Sequence, residues 1–292
     1  MKIAIFGVSG QLGSDVAAAL SSHRVDAVDH TRADIRDAAD VERVLGESSP
    51  DWAVNCAAMT HVDACETDAL QAFATNALGT RNIARACAAA GARFLHVSTD
   101  YVFDGALRRP YVESDPPRPI NAYGMSKLAG EWFAMAEYPA GATIVRTSGL
   151  YGTHVCRGKG TNFVETMLAR AAAGGPLRVV TDETLTPTFT VDLAQQIRTM
   201  IEAGVPAGIY HATNGGECSW HAFASEAVRL AGIDVDVQPM RAAEWKSPAR
   251  RPANSVLENR ALDTLGLNMM PDWRDALARY IALRAPAPRH EA

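Results

Sequence analysis

A tyrosine and a lysine four residues apart are the clearest candidates for chemistry in this sequence. Tyr123 and Lys127 lie at the predicted start of a helix, where residues i and i+4 share one face. A phenol of pKa about 10 can give its proton to a ketone oxygen that is being reduced, which leaves a phenolate. An ammonium about 4 Å away favours that phenolate by about 4 kcal/mol at an effective dielectric near 20, or about three pKa units. This spacing alone is also common on solvated helix faces, so the interpretation depends on its surroundings.

Other polar residues accompany this pair. Thr99 follows a strand predicted at 93–98, and the carboxyl ends of parallel strands open onto ligand clefts. Its hydroxyl is therefore expected to hydrogen-bond a substrate carbonyl, with Ser98 as the alternative. Asn55 and Asn76 fit either a proton relay or ordinary capping and buried positions. His96, set within the strand, is interpreted as a core histidine.

The beginning of the chain predicts a phosphate-binding turn. A strand at 2–6 runs into three glycines spaced three apart and then into a helix. Such glycines allow a tight turn, close approach of the backbone to a diphosphate and close helix packing, and the helix N-terminus offers free N–H groups. We therefore predict a dinucleotide site. Its expected residues are Gly7, Ser9, Gly10, Gln11, Leu12 and Gly13.

The residues after the second predicted strand leave the choice of cofactor open. Asp29 is suited to the ribose 2′-hydroxyl of NADH, whereas Arg32 is suited to the 2′-phosphate of NADPH. Ordinary loop solvation is the alternative for both. Asp34 and Ile35 are expected at the adenine edge. The sequence thus predicts NADPH or NADH without choosing between them.

The elements that must position these residues alternate between strands and helices. The fold class predicted is α/β, a Rossmann-type doubly wound parallel sheet with a smaller C-terminal α/β substrate lobe. Residues 1–150 are expected to form the dinucleotide-binding domain and 151–292 mainly the substrate lobe, with the chain free to cross back. Predicted strands are 2–6, 25–28, 52–55, 93–98, 143–147, 177–180 and 208–212, and predicted helices are 11–20, 70–89, 123–136, 161–173, 191–203, 220–231 and 272–283.

Composition excludes several classes of protein. The 292 residues carry 28 Lys and Arg against 33 Asp and Glu, a net charge of −5, which argues against nucleic-acid binding. The sequence contains no apolar stretch of membrane-spanning length and no paired metal-ligand spacing, so neither a membrane nor a metal partner is expected. The five cysteines are irregularly spaced and odd in number, which favours a reducing, cytoplasmic compartment. A proline-rich loop at 109–119 and a frayed tail at 285–292 are also predicted.

Seven segments closely resemble dTDP-4-dehydrorhamnose reductases of the extended short-chain dehydrogenase/reductase superfamily, and together they span nearly the whole chain. They are GVSGQLG at 7–13, NCAAMTHVDACE at 55–66, NALGTRNIA at 76–84, STDYVFDG at 98–105, NAYGMSKLAGE at 121–131, RTSGLYG at 146–152 and RPANSVL at 251–257.

The resemblance implies reduction of the C4 ketone of a nucleotide-linked 4-keto-6-deoxy sugar, as in dTDP-rhamnose biosynthesis, by a cytoplasmic homodimer. Thr99, Tyr123 and Lys127 would form the catalytic triad, with Lys127 also holding the nicotinamide ribose. Cofactor contacts implied by the family are Ala57 and Ala58. Substrate contacts expected besides Thr99 and Tyr123 are Val62, Asp100, Gly149, Arg251 and Asn254.

Departures from the family pattern concern the sugar pocket. Met59 replaces a usual aromatic residue, Gly149 stands where a tryptophan often contacts the sugar, and 182–188 replaces the usual DQxGxPT. A lost tryptophan removes a large stacking surface, so a different or bulkier sugar is expected. A cluster of basic residues in the last quarter of the chain fits either a diphosphate site or a solvated surface. Its members are Arg241, Lys246, Arg250 and Arg251.

Two other functions share this pattern. An NAD-dependent sugar-nucleotide epimerase uses the same triad but retains its cofactor and returns the hydride. A non-catalytic NADP-binding regulatory subunit, as in the partner of methionine adenosyltransferase, has the same fold. Consumption of nicotinamide cofactor in the presence of keto sugars distinguishes the reductase from both.

Overall fold

The computed structural model describes residues 1–155, 160–174 and 176–284. Cys156 and the tail predicted to fray lie outside these residues. The strands are β1 (Lys2–Phe6), β2 (Arg24–Val28), β3 (Trp52–Asn55), β4 (Arg93–Thr99), β5 (Ala142–Thr147), β6 (Leu150–Tyr151), β7 (Leu177–Val180), β8 (Thr184–Leu185), β9 (Thr188–Phe189), β10 (Gly208–His211), β11 (Cys218–Ser219) and β12 (Val237–Met240). The α-helices are α1 (Gln11–Ala19), α2 (Ala38–Ser48), α3 (Val62–Thr67), α4 (Ala69–Phe73), α5 (Thr80–Ala90), α6 (Ala122–Glu137), α7 (Phe163–Ala172), α8 (Thr190–Ala203), α9 (Trp220–Leu230), α10 (Arg260–Thr264) and α11 (Trp273–Leu283).

Six parallel strands form the main sheet in the order β10-β5-β4-β3-β1-β2. The central strands are apolar and almost entirely buried, because helices cover both faces of the sheet. One face packs on α1 and α8, and the other packs on α2, α5 and α6. The direction of chain progression reverses between β1 and β3, and ligands bind at such a switch point. The predicted α/β class is confirmed.

Two segments beyond residue 150 belong to this larger unit. The strand at 208–212, expected in the smaller lobe, is the edge strand β10 of the main sheet. Helix α8 lies against α1 through Leu193, Ile197 and neighbouring apolar residues. The pairing partners of an edge strand are set by contacts distant in sequence, so local alternation did not reveal this position.

The helix predicted at 70–89 is interrupted. Between α4 and α5, residues Ala74–Gly79 form a π-helical segment. The side chain of Asn76, within it, makes two hydrogen bonds with the backbone of Met59, at 2.8 and 3.0 Å. Asn76 is fully buried, and through it the π-helical segment holds the backbone of Met59, which lines the cleft; such segments are often found at functional sites. The sequence analysis also missed α2, whose N-cap Asp37 accepts from Ala39 N–H.

The smaller lobe surrounds its own apolar core. Aromatic side chains from several elements meet there, with Tyr151 and Phe189 stacked at 5.6 Å between ring centroids. Its helices α7, α9 and α11 pack around the short sheet of β7 and β12. Among the described residues, no helix combines the length and apolar character needed to cross a bilayer.

Candidate functional site

A cleft of about 860 Å³ lies at the carboxyl ends of the main-sheet strands. Its walls come from the loops after β1, β2, β3, β4 and β5, the start of α6, and parts of the smaller lobe. Predicted site residues that line it are Gly7, Ser9, Gly10, Gln11, Leu12, Gly13, Asp29, Asp34, Ile35, Ala57, Ala58, Val62, Thr99, Asp100, Tyr123, Lys127, Gly149 and Arg251. Two predicted residues, Arg32 and Asn254, do not line it.

The glycine turn has the shape of a phosphate cradle. A Cβ on Gly7 would meet the Ala57 backbone nitrogen at 2.6 Å, and one on Gly13 would meet the Gly7 carbonyl oxygen at 2.2 Å. Gly7 also has φ of +76°, in the left-handed region that favours glycine. Helix α1 begins at Gln11 and directs its first N–H groups into this turn. These residues fit the diphosphate of a dinucleotide.

The two arginines near the end of β2 have different surroundings. Arg32 forms an ion pair with Asp26 and does not line the cleft, so its position gives no support to the predicted contact with a 2′-phosphate. Arg36 lines the cleft and pairs with Asp34 at 2.5 Å. The Arg36 guanidinium lowers the pKa of the Asp34 carboxyl. Sequence reasoning overlooked Arg36 because its spacing from the strand gave no signal.

The start of α6 places Tyr123 at the cleft. Asn121 caps the helix by accepting from Gly124 N–H at 2.8 Å. A Cβ on Gly124 would come to 2.1 Å from the Tyr101 carbonyl oxygen, so the helix approaches that backbone more closely than any side chain allows. The rings of Tyr123 and Tyr101 meet edge to face, with centroids 5.9 Å apart. Tyr101 also lines the cleft, and the sequence analysis did not single it out.

Lys127 is 2% exposed and forms part of the lining of the cleft. The Nζ donates to the Val97 carbonyl at 2.6 Å and lies 3.1 Å from His96 Nε2. Burial lowers the pKa of Lys127 to about 8, an effect that the charge of Glu131 partly opposes. That carboxylate is itself bound by Arg146 at 2.7 Å. The sequence analysis treated Lys127 as always protonated. In the structure its side chain instead titrates near physiological pH.

Thr99 is hydrogen-bonded to its neighbours. Its hydroxyl donates to Asp100 Oδ1 at 2.9 Å and accepts from Tyr101 N–H at 3.2 Å. Ser148 donates to the other carboxylate oxygen of Asp100 at 2.8 Å. Burial raises the pKa of Asp100, and these hydrogen bonds oppose that rise. Thr99 must turn its hydroxyl hydrogen away from Asp100 to donate to a substrate carbonyl.

The substrate side of the cleft joins both lobes. Arg251 pairs with Asp63 at 3.1 Å and also donates to Ser247. Trp220, at the start of α9, lines the cleft with its ring 4.5 Å from that of Phe163. Trp220 was missed because it lies almost a hundred residues from the catalytic pair and belongs to no motif.

Gly149 and Asn254 differ in their relation to the cleft. Gly149 lines it at φ +54°, and a Cβ there would meet Leu185 Cδ1 at 2.7 Å. A larger residue would therefore displace Leu185 from the sugar side. Asn254 donates instead to the carbonyls of Leu107 and Arg109, at 2.8 and 3.0 Å. It fastens the loop after β4 and does not line the cleft, and its contact with substrate stays a prediction.

Comparison with known proteins gives the family. Residues 1–285 match the family model described as RmlD substrate binding domain. A dTDP-4-dehydrorhamnose reductase of Mycobacterium tuberculosis is 40% identical, with 98% of this chain and 93% of the relative covered. The crystal structure of a dTDP-4-dehydrorhamnose reductase from Clostridium acetobutylicum is 41% identical with a TM-score of 0.92, covering 97% and 99% of the two chains. That of the Bacillus anthracis reductase, in complex with NADP, is 35% identical with the same TM-score and coverage. The chain thus belongs to the RmlD substrate binding domain family.

Proposed function

We propose that this protein reduces the C4 ketone of a nucleotide-linked 4-keto-6-deoxy sugar with NADPH or NADH. The observation that carries the proposal is the single cleft shared by the glycine cradle, Thr99, Tyr123 and Lys127. The named activities of the relatives support the same reaction. A nicotinamide cofactor, when bound, supplies the hydride.

The side chains of the cleft provide the remaining steps. Thr99 positions the carbonyl oxygen, and Tyr123 gives that oxygen a proton as the ketone becomes an alcohol. Lys127, in its ammonium form, stabilises the phenolate that remains and hydrogen-bonds the cofactor ribose. The buried setting strengthens each of these electrostatic effects.

Arg251 is proposed to bind the diphosphate of the sugar nucleotide. Its guanidinium lies on the cleft wall, and its partner Asp63 is a carboxylate that a diphosphate would replace. Gly149 and Trp220 would then flank the sugar. Because Leu185 occupies the space that a side chain at position 149 would enter, we propose that the sugar contacts Leu185 in place of an aromatic ring at 149, and that the pocket accepts sugars differing from dTDP-4-dehydrorhamnose in size.

The test replaces Tyr123 by phenylalanine. We expect the rate of cofactor oxidation to fall by about 10²–10⁴ with nucleotide 4-keto-6-deoxy sugars, because the proton donor is lost while the ring remains. Binding of NADPH, followed by fluorescence, should change little. The assay uses nicotinamide absorbance with both NADPH and NADH. Undiminished turnover by Tyr123→Phe would refute the assigned role.

The wild-type protein in the same assay separates the alternatives. Protein that retains NAD through purification and consumes no added cofactor would indicate an epimerase. Protein that binds NADPH and oxidises none with any sugar would indicate a regulatory subunit.

We also propose that the protein is a cytoplasmic homodimer. Helices α4 and α6 pack together and expose large apolar side chains, including Leu70 at 87% and Trp132 at 62%. Large apolar side chains exposed on adjacent helices are typical of an interface between protein chains. Cys56, Cys87 and Cys218, among the described residues, form no disulfide, which is consistent with a reducing compartment.

A further inference from the structure

A buried histidine connects Lys127 to the interior of the main sheet. His96 is fully buried in β4, with Nε2 3.1 Å from Lys127 Nζ and Nδ1 3.1 Å from Asn55 Nδ2. A neutral imidazole has one N–H, so it donates from one nitrogen and accepts at the other. The two contacts therefore depend on each other.

The orientation of Asn55 determines which nitrogen accepts. Asn55 Oδ1 accepts from Ala57 N–H at 3.0 Å, whereas Nδ2 faces both His96 and Thr80 Oγ1. The reversed amide would place its NH₂ group against the N–H of Ala57. His96 Nδ1 must consequently accept from Asn55, and the imidazole proton must reside on Nε2.

A proton on Nε2 points at Lys127 Nζ. This arrangement is satisfied only when Lys127 is an amine, which has a lone pair to accept that bond while one of its own protons goes to the Val97 carbonyl. If Lys127 is an ammonium, His96 must carry its proton on Nδ1. The Nδ1 proton then faces the NH₂ group of Asn55, and the Asn55–His96 hydrogen bond is lost.

We infer that His96 is a positioning residue whose tautomer is coupled to the protonation of Lys127, with Asn55 favouring the amine. One proton leaves the pair as Lys127 changes from ammonium to amine, and the remaining imidazole proton moves from Nδ1 to Nε2. The coupling rests on the proposed function only for its kinetic consequence, which is that it sets the fraction of Lys127 in the ammonium form that stabilises the Tyr123 phenolate.

The other titratable groups around Lys127 do not shift a proton between their own atoms as Lys127 titrates, which is what this coupling requires of His96. Burial raises the pKa of the Cys56 thiol to about 12, so it remains neutral. Glu131, one turn further along α6, is held by Arg146 from β5 and accepts from Ser98. Tyr123 shares the cleft. His96 itself has a pKa lowered well below its usual value by burial, so it stays neutral while Lys127 titrates.

The primary test follows histidine tautomers by ¹⁵N NMR in the cofactor-free wild-type protein. We expect His96 to change from the Nδ1–H to the Nε2–H tautomer over the pH range in which Lys127 titrates. The protein has only the lysines Lys2, Lys127, Lys159 and Lys246, so ¹³Cε labelling resolves that titration. A single His96 tautomer across this range, or an imidazolium near neutral pH, would overturn the inference.

His211 provides an internal control in the same spectra. It is also fully buried, and its Nδ1 lies 3.2 Å from the carbonyl oxygens of Tyr111 and Glu258. Both partners accept, so His211 should keep its Nδ1–H tautomer throughout.

A pair of variants tests the part played by Asn55. Asn55→Ala removes the group that requires Nδ1 to accept, so the pKa of Lys127 should rise by about one unit. Thr80→Val removes the other acceptor of the Asn55 amide and should leave that pKa unchanged. Equal values in the two variants would contradict the coupling. None of these measurements needs substrate, so they can fail while the proposed reductase activity stands.

Discussion

Replacement of Gly124 by alanine tests how closely the catalytic helix must approach its neighbour. The added Cβ would lie 2.1 Å from the Tyr101 carbonyl oxygen and 3.1 Å from Pro119 Cβ. A tolerable carbon–oxygen contact is about 3.3 Å, so α6 must withdraw from this backbone by about 1.2 Å. Tyr123 precedes Gly124 directly, and its phenol is expected to move by a similar amount.

Such a displacement should reduce catalysis more than it reduces binding. A misplacement of about 1 Å at a reacting group costs about 10² in rate, and overpacking of this kind costs about 1–3 kcal/mol of stability. We therefore expect Gly124→Ala to remain folded, with kcat about 100-fold lower and NADPH affinity within a few-fold of wild type. The assays are cofactor oxidation with a nucleotide 4-keto sugar, NADPH fluorescence and urea unfolding.

Gly46→Ala is the matched control. Gly46 lies in α2 with nothing within 4 Å of its ideal Cβ, so alanine should add about 0.5–1 kcal/mol of stability without changing kcat. Wild-type kcat and stability in Gly124→Ala would show that the close approach is not required. Complete unfolding of the variant would show that the estimated overpacking cost is too small.

Two further predictions concern charged residues of the cleft. The pKa of Lys127 is about 8 in the folded protein against 10.5 ordinarily, so the unfolded chain binds more protons between these values and stability rises with pH. Urea unfolding should therefore show wild type gaining up to about 3 kcal/mol relative to Lys127→Met between pH 7 and 10.5, and a pH-independent difference would disprove the shift. Arg36→Ala should raise KM for NADPH about tenfold and leave KM for NADH nearly unchanged, because Arg36 lines the cleft near the expected ribose position. Arg32→Ala, which breaks the ion pair with Asp26 outside the cleft, should change neither constant, and the reverse pattern would restore Arg32 as the phosphate ligand.

Much of the fold followed from local patterns. The central strands of the main sheet are apolar because they are buried on both faces, and the amphipathic helices between the strands keep a regular period. Local patterns did not show that β10 returns to the main sheet, since that pairing joins residues far apart in the chain. They also did not indicate the π-helical segment, in which Asn76 makes hydrogen bonds with the sequence-distant backbone of Met59.

Some features of the candidate site likewise followed from the sequence, and others depended on the tertiary structure. The sequence alone determined the glycine turn and the spacing of Tyr123 and Lys127, because a turn and one helical period are local properties. Only the tertiary structure decided that Arg36 rather than Arg32 lines the cleft, that Asn254 fastens a loop, and that Trp220 joins the substrate side. It also decided the protonation chemistry of Lys127, because desolvation and the partners of a buried amine depend on what the whole fold packs around it.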